Sequence, residues 1–388
     1  MAGKRAPDTG VEKGGRVVCS GRSTDVFIVG GGPAGLATAI AARQKGFQVT
    51  VADGAAPPID KPCGEGMMPE TLAALRDMGV EINPGEGQKF RGVSFMQEGA
   101  RISADFPQGP GIGLRRPLLH ERLVARAAEC GVQLLWKTPV TGVDAEGVQL
   151  SQGKVAARWI VGTDGQGSRV RRWSGLETTK VVEKRYASRR HYRVQPWSNY
   201  MEIYWGSHAQ AYVTPIGRED VCIVVMSERA EHASFDRSLR ELPELQEKLR
   251  GAELSSRERG AITWMRSLRR VQRGNVALVG DASGGVDAIT GEGLRLAFRQ
   301  AFALADAMVL RDLRHYEQAH RVLARRPRRM ADLMLWLGRH PRMRSRVIRA
   351  LESKPDLFAR LLATHAGQGT SGELVSTGAQ LGWRLLAV

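Results

Sequence analysis

At 388 residues the chain can form one large or two closely joined domains with a real core, and no stretch reaches the roughly eighteen uninterrupted apolar residues of a membrane span. A net charge of +17 and an isoelectric point near 10.3 leave an anionic membrane surface as a candidate partner, or a basic face that serves solubility. Without an aromatic RNP pattern, a zinc knuckle or a basic zipper, nucleic acid is excluded as a partner. The four cysteines, Cys19, Cys63, Cys130 and Cys222, lie far apart and form no CxxC pair. They argue against a zinc site or any disulfide framework, and for a reducing, cytoplasmic compartment.

Residues 1–23 are polar and Gly-rich with no apolar core segment, so the reading is a disordered tail and not a signal peptide. The apolar run Val26 to Val29 then predicts a buried parallel strand. Gly30, Gly32 and Gly35 follow, with Pro33 and Ala34 between the last two. Gly30 suits a tight turn off the strand, Gly32 a close approach of pyrophosphate to the backbone, and Gly35 close packing of helix on strand. An Ala/Leu-rich helix ends at Gly46, and a second apolar strand, Phe47 to Val51, closes at Asp53. The free N–H groups of that helix point at phosphates, and Asp53 stands where a carboxylate takes a ribose hydroxyl. Strand, glycine turn, helix, strand and acid together predict dinucleotide binding.

Gly54 to Met68 reads as a loop, with a helix from Pro69 stopped by Gly79. Short strands are expected at Gly92 to Met96 and Arg101 to Phe106, a helix from Leu114-Arg115-Arg116-Pro117 through Cys130, a strand at Val132 to Trp136, and a meander to Gly165. Asp164-Gly165 ends the strand Trp159 to Val161, and a short helix starts near Ser168. From Tyr186 to Ser227 strands follow one another without helices, which predicts an antiparallel second domain. Phe235 to Arg250 reads as helix, Asn275 to Val279 as a strand running into GDASGGVDAITGEG, and the remainder from Leu294 as helix rich in arginine.

Three strands distant in sequence thus end in loops of Gly and Asp: Gly30 to Gly35, Asp164-Gly165 and Gly280-Asp281. In open α/β sheets ligands bind outside such ends. With Arg116-x-x-Leu119 and Gly291-Glu292-Gly293, these motifs resemble the FAD-dependent oxidoreductases of the glutathione-reductase-like superfamily over about Asp25 to Asp312. Within it the chain most resembles the geranylgeranyl reductase family, which is related to aromatic hydroxylases and flavin halogenases. The resemblance implies an α/β fold with a Rossmann-like FAD-binding domain (24–180 and 270–312). It also implies an inserted antiparallel-sheet substrate domain (181–269) and a helical basic C-terminal region (313–388). It implies that Asp281 bonds flavin-side hydroxyls, Asp164 supports the pyrophosphate region, Arg116 lies along the cofactor and Val140 meets the adenine. Gly291, Gly293 and Leu294 bring the positive end of a helix to the flavin edge that gains negative charge on reduction.

Cys63-Gly64-Glu65-Gly66 resembles the Cys-Gly loop that lies beside the flavin ring in geranylgeranyl reductases. Cys63 reads two ways, as a proton donor or redox-sensitive thiol, or as a small side chain packed under the ring. Two departures stand out. Ala288 occupies a position where the family has Pro, which loosens the loop before the flavin. Tyr212-Val213-Thr214-Pro215 stands where halogenases carry Trp-x-Trp-x-Ile-Pro, so halogenation is not expected. No second GxGxxG stands between an apolar strand and a helix, so NAD(P)H is expected as a transient reductant, or a protein donor in its place. The leading expectation is reduction of a carbon–carbon double bond in an apolar, isoprenoid-like or polyketide-like substrate. The alternatives are a flavin monooxygenase and a non-catalytic flavin-binding, membrane-associated protein. The run Leu333 to Leu337 among arginines suits either an amphipathic helix at the inner face of an anionic membrane or a helical cap with a solvated basic face.

Overall fold

The computed structural model describes residues 23–177, 181–368 and Gln380; the expected tail, apart from Ser23, lies outside them. Five strands run parallel in the first sheet, in the spatial order Val276–Leu278, Gly153–Gly162, Ser23–Val29, Val49–Ala52, Gln133–Leu135. Covered on both faces, such strands must be apolar throughout, and Val26, Phe27 and Ile28 are fully buried. Short antiparallel strands, Gln272–Arg273, Val140–Val143 and Gly147–Leu150, extend this sheet.

Helices α1 (Pro33–Gln44), α2 (Pro69–Asp77) and α3 (Arg116–Glu129) pack on one side of the sheet. In α1 every residue from Leu36 to Ala42 is buried. Its small side chains let it sit between the sheet and its helical neighbours. The other side is closed by α4 (Arg169–Trp173) and the 140–150 meander. Helices α5 (Phe235–Arg240) and α6 (Pro243–Lys248) follow, then α7 (Gly293–Val309), which packs on α1. The C-terminal part is α8 (Leu313–Arg339), α9 (Pro341–Glu352) and α10 (Pro355–His365). Proline opens the first turn of six helices, at Pro33, Pro69, Pro117, Pro243, Pro341 and Pro355. Its missing N–H costs nothing there. The helix expected over Phe235 to Arg250 is divided for the same reason, at Pro243.

The second sheet has the order Glu253–Leu254, Val181–Arg193, Asp220–Ser227, Ala209–Pro215, Tyr200–Trp205, Gly92–Gln97, Ala100–Asp105, with Arg259–Arg266 also paired to Val181–Arg193. It is antiparallel except where Tyr200–Trp205 runs parallel to Gly92–Gln97. The sheet therefore takes two strands from the segment before α3. A small third sheet joins Gly66–Met67, Gly111–Gly113 and Gln88–Phe90, so the segment expected as loop through Met68 ends in a strand.

Helices α5 and α6 cover one face of the second sheet through Phe235, Leu242 and Leu245. The other face is covered by Ala331, Leu337, Ile348, Leu351, Leu357, Phe358 and Leu362 of α8 to α10, together with Met68 and Ile289 from the first domain. Burying each such aliphatic or aromatic side chain contributes about 1.5–3 kcal/mol. The C-terminal helices are thus built into the core of the second sheet.

Helix α8 also reaches the first sheet. The Tyr316 hydroxyl donates to the Leu278 carbonyl at 2.6 Å, and His320 Nε2 lies 2.9 Å from Ser283 Oγ. Burial holds the His320 imidazole down to about 4. Unfolded histidine takes up its proton near pH 6.5, so the unfolded chain binds more protons as the pH falls below that value. Stability contributed by neutral, buried His320 should be lost between about pH 6.5 and pH 4. Thermal melts of His320→Gln should fall less steeply over that range than those of the parent. Parallel curves would show that His320 does not carry this acid sensitivity.

Candidate active site

The parallel register brings the carboxyl ends of four strands to one edge. Val29 lies opposite both Gly162 and Ala52, and Gly162 opposite Leu278. The turns that follow, at Gly30, Asp53, Asp164 and Gly280, therefore stand side by side. A cavity of 340 Å³ opens there, lined among others by Gly30, Gly32, Asp53, Val140, Asp164 and Arg169. The close approach at its base needs glycine. A Cβ on Gly35 would come within 1.9 Å of the Gly30 carbonyl oxygen. At Gly32 the opposite holds: a Cβ would meet nothing within 4 Å, so this backbone faces open space at the start of α1.

The acids differ in their local duties. Asp53 Oδ2 accepts from the Gly31 N–H at 2.7 Å and Oδ1 from the Ala55 N–H at 2.8 Å. A carboxylate has about four acceptor positions, so capacity remains for ribose hydroxyls. Asp164 is engaged with α4: Oδ1 accepts from Ser168 Oγ at 2.5 Å, and Oδ2 from the N–H groups of Arg169 and Val170 at 2.6 and 3.2 Å. Its first role is to cap that helix. Asp281 is paired with Lys61, Nζ to Oδ2 2.6 Å. Burial works to raise its carboxyl, but the charges of Lys61 and Arg116 outweigh this and hold it below the usual range.

The Gly280 N–H donates to buried Gln300 Oε1 at 2.8 Å, which ties the turn to α7. Gly291, in the left-handed region at φ +67°, ends the turn Ala288–Thr290, and Gly293 begins α7. A Cβ at Gly293 would also meet nothing within 4 Å. Leu294 packs at the rim of the first core. Without the proline ring at 288, this loop is braced by Asp287, which accepts from the Ile289 N–H at 2.9 Å and from buried Arg185 at 2.8 Å.

Glu65 was the residue least visible in the sequence. It is 3% exposed and adopts φ +58° between two glycines. Its Oε1 accepts from the Arg116 N–H at 3.0 Å and from Arg189 Nη1 at 3.1 Å. Its Oε2 lies 2.8 Å from His191 Nε2, whose ring continues through Nδ1 to Ser256 Oγ at 2.6 Å. Arg189 also bridges to Asp60 at 2.9 Å. Cys63, half-buried, receives the Glu65 N–H on its sulfur at 3.3 Å, and the Cys222 thiol points to the Cys63 carbonyl at 3.6 Å. Glu65, His191 and Cys222 lie close enough together to hold a metal ion, yet both Glu65 oxygens are already engaged by Arg116, Arg189 and His191. Arg185, Arg189 and His191 alternate along one strand, so they share a face. That spacing was readable in RYASRRHYR.

These residues fit FAD. Among the described residues, Gly32 and Gly293 leave open backbone where a pyrophosphate and a flat ring would lie, and the buried Arg116 Nε has no hydrogen-bond partner. Gly30 to Gly35 with Asp53 and Val140 would hold the adenosine end, and Asp281, Arg116 and Gly291 to Leu294 the flavin end.

Two outcomes follow. Glu65→Ala leaves Arg189 with Asp60 alone and removes the carboxylate partner of His191, and should destabilise the flavin-free protein by about 1–3 kcal/mol in denaturant titrations, the cost of unpaired buried polar groups. Breaking the exposed Arg91–Asp105 pair should change stability little. Asp281→Ala should weaken FAD binding roughly ten- to hundredfold, as loss of a hydrogen bond to a charged group does. Cys63→Ala should weaken it less. Equal FAD affinity in Asp281→Ala and the parent would remove Asp281 from the cofactor site.

Comparison with known proteins gives the family. Over 319 residues the chain is 28% identical to menaquinone reductase of Mycobacterium tuberculosis, covering 75% of this chain and 78% of that one. It is 27% identical over 296 residues to digeranylgeranylglycerophospholipid reductase 1 of Methanothermobacter thermautotrophicus, covering 70% and 73%. The fold matches a flavoprotein/dehydrogenase from Cytophaga hutchinsonii with a TM-score of 0.77 at 18% identity, over 88% of this chain and 92% of that one. The family model described as FAD binding domain matches residues 23–322, which take in every turn that converges on the cavity. The chain therefore belongs to the FAD binding domain family, as an FAD-dependent oxidoreductase akin to the geranylgeranyl reductases.

Proposed function

We propose that the protein uses NADH or NADPH, bound only in passing, to reduce a carbon–carbon double bond of an apolar, isoprenoid-like or polyketide-like substrate. Bound FAD supplies two-electron transfer between the two. The observation that carries the reading is the apolar packing between the flavin loops and the second sheet. Met68 and Ile289, from the two loops assigned to the flavin, join Ile203, Tyr212, Val224 and Met226 of the second sheet in one apolar cluster. All six are buried, so a substrate that parts loop from sheet would meet apolar side chains with water excluded.

The chain's own residues have defined tasks in this reading. The first N–H groups of α7, at Gly293 and Leu294, present the positive end of the helix to charge that develops at the flavin edge. Lys61 and Arg116 hold Asp281 ionised as an acceptor for cofactor hydroxyls. Glu65, through Arg189 and His191, fixes the position of the Cys63 loop against the second sheet. The two relatives reported above are named for reductions of menaquinone and of a digeranylgeranylglycerophospholipid, both consistent with an apolar substrate.

The purified protein should be yellow and release FAD, not FMN. With NADH or NADPH under anaerobic conditions it should add two hydrogen atoms to a geranylgeranyl lipid or a menaquinone, as read by mass spectrometry. Turnover that requires oxygen and adds an oxygen atom would make the protein a monooxygenase. A colourless protein that cannot be reconstituted with FAD would overturn the reading at its base.

A further inference from the structure

The run Leu333 to Leu337 does not act as one apolar block. In α8 its side chains are distributed around the helix axis. Leu335 and Leu337 are buried, at 3% and 6% exposure, and Met334 packs against the second-sheet core. Leu333 and Trp336 face outward, at 50% and 44%. Val322, at 75% exposure, lies on the same side. With 3.6 residues per turn, Val322, Arg325, Arg329, Leu333 and Trp336 fall within about 80° of one another along about 21 Å of helix. Arg325 and Arg329 are exposed. The opposite side carries Ala324, Pro327, Ala331 and Leu335, all buried.

This outer row combines two features that a solvated face does not need together. Three large apolar side chains stand in water, and arginines stand between them. The surrounding segment 311–360 holds fourteen Lys and Arg against five Asp and Glu. Helix α9 adds Arg342, Arg346 and Arg349 as exposed residues. Apolar side chains flanked by cations match the boundary of an anionic bilayer, where the first enter the acyl region and the second meet headgroups. No described helix is long and apolar enough to cross a membrane, so any contact through α8 is with one leaflet.

The inner side of the same helix gives the contact a purpose. Ala331 and Leu337 pack in one cluster with Ile289, which lies in the turn Ala288–Thr290 before the start of α7. One helix thickness therefore separates the outer row from the loop assigned to the flavin. We propose that the outer face of α8 docks the protein on an anionic lipid surface, through Val322, Leu333 and Trp336 in the acyl boundary and Arg325 and Arg329 at the headgroups. The purpose, delivery of an apolar substrate to the flavin, rests on the reading above; the docking itself does not.

The test uses the FAD-loaded full chain and vesicles of phosphatidylcholine with or without phosphatidylglycerol. The parent should sediment with the anionic vesicles at low salt, less at high salt, and hardly with the neutral ones. Leu333→Asp and Trp336→Asp should each lower partitioning roughly tenfold, with FAD content unchanged and the protein still melting cooperatively, because neither side chain is buried in the core. Arg325→Glu with Arg329→Glu should abolish binding in a protein that again keeps its flavin. Brominated lipid should quench tryptophan fluorescence in the parent and much less in Trp336→Phe. A parent that ignores anionic vesicles overturns the proposal. So does binding that falls with salt yet is unmoved by Leu333→Asp and Trp336→Asp, since the docking face would then lie elsewhere. A protein that docks as described but reduces no apolar substrate would refute the function and leave the docking intact.

Discussion

A carboxylate buried without a cation is among the costlier things a fold can contain, and the arrangement around Glu65 follows from that. Its side chain meets Arg189 and His191 of the second sheet, and its neighbour in space is the first N–H of α3. One residue thus joins three parts of the molecule: the Cys63 loop, the helix that carries Arg116, and the sheet that faces them. The left-handed backbone at Glu65 adds strain, which these bonds hold in place. Arg189 in turn draws Asp60 into the cluster. The position of Cys63 is therefore set by charges more than a hundred residues away in the chain.

The rest of the site is a matter of converging ends. Parallel strands deliver their carboxyl-terminal turns to one edge, and the small residues of α1 allow the helix to start close against them. The second sheet supplies an apolar face, and the C-terminal helices cover that same face beside the flavin loops. Tyr316 and His320 of α8 also bond to the strand end and loop that flank Asp281. The C-terminal region is for this reason part of the site's support, although every cofactor motif precedes it in sequence.

Local patterns made much of this readable. The stretch from Val26 to Asp53 declares strand, turn, helix and strand by its own periodicity, and the structure places them so. The Gly280-Asp281 and Gly291 to Gly293 turns stand out by composition, and they lie at a strand end and a helix start. Pairings between distant segments left no such mark. Gly92–Gln97 joins the second sheet beside Tyr200–Trp205, and nothing in either strand names its partner. Glu65 lay within the quoted Cys-Gly loop, but its partners at 189 and 191 are specified only by the fold. Asp164 was read from its motif as a support for pyrophosphate, whereas local N–H groups of α4 compete for the same oxygens. The Leu333 to Leu337 run shows the same limit, since composition does not say which of its side chains face outward.

The central claim is that FAD lies across the open backbone at Gly32, and one substitution tests it directly. Gly32 has ordinary extended dihedrals, φ −72° and ψ 178°, and a Cβ there would meet no atom of the described residues within 4 Å. Gly32→Ala should therefore leave the flavin-free protein folded, with at most the modest cost of an N-cap change, while placing a methyl in the space assigned to the pyrophosphate. Titration of FAD into both flavin-free proteins, followed by flavin fluorescence, should show tight binding to the parent and a severe loss in Gly32→Ala, with both proteins melting cooperatively. Equal FAD affinity in the two would mean that the cofactor lies elsewhere, and the account of the site would be wrong.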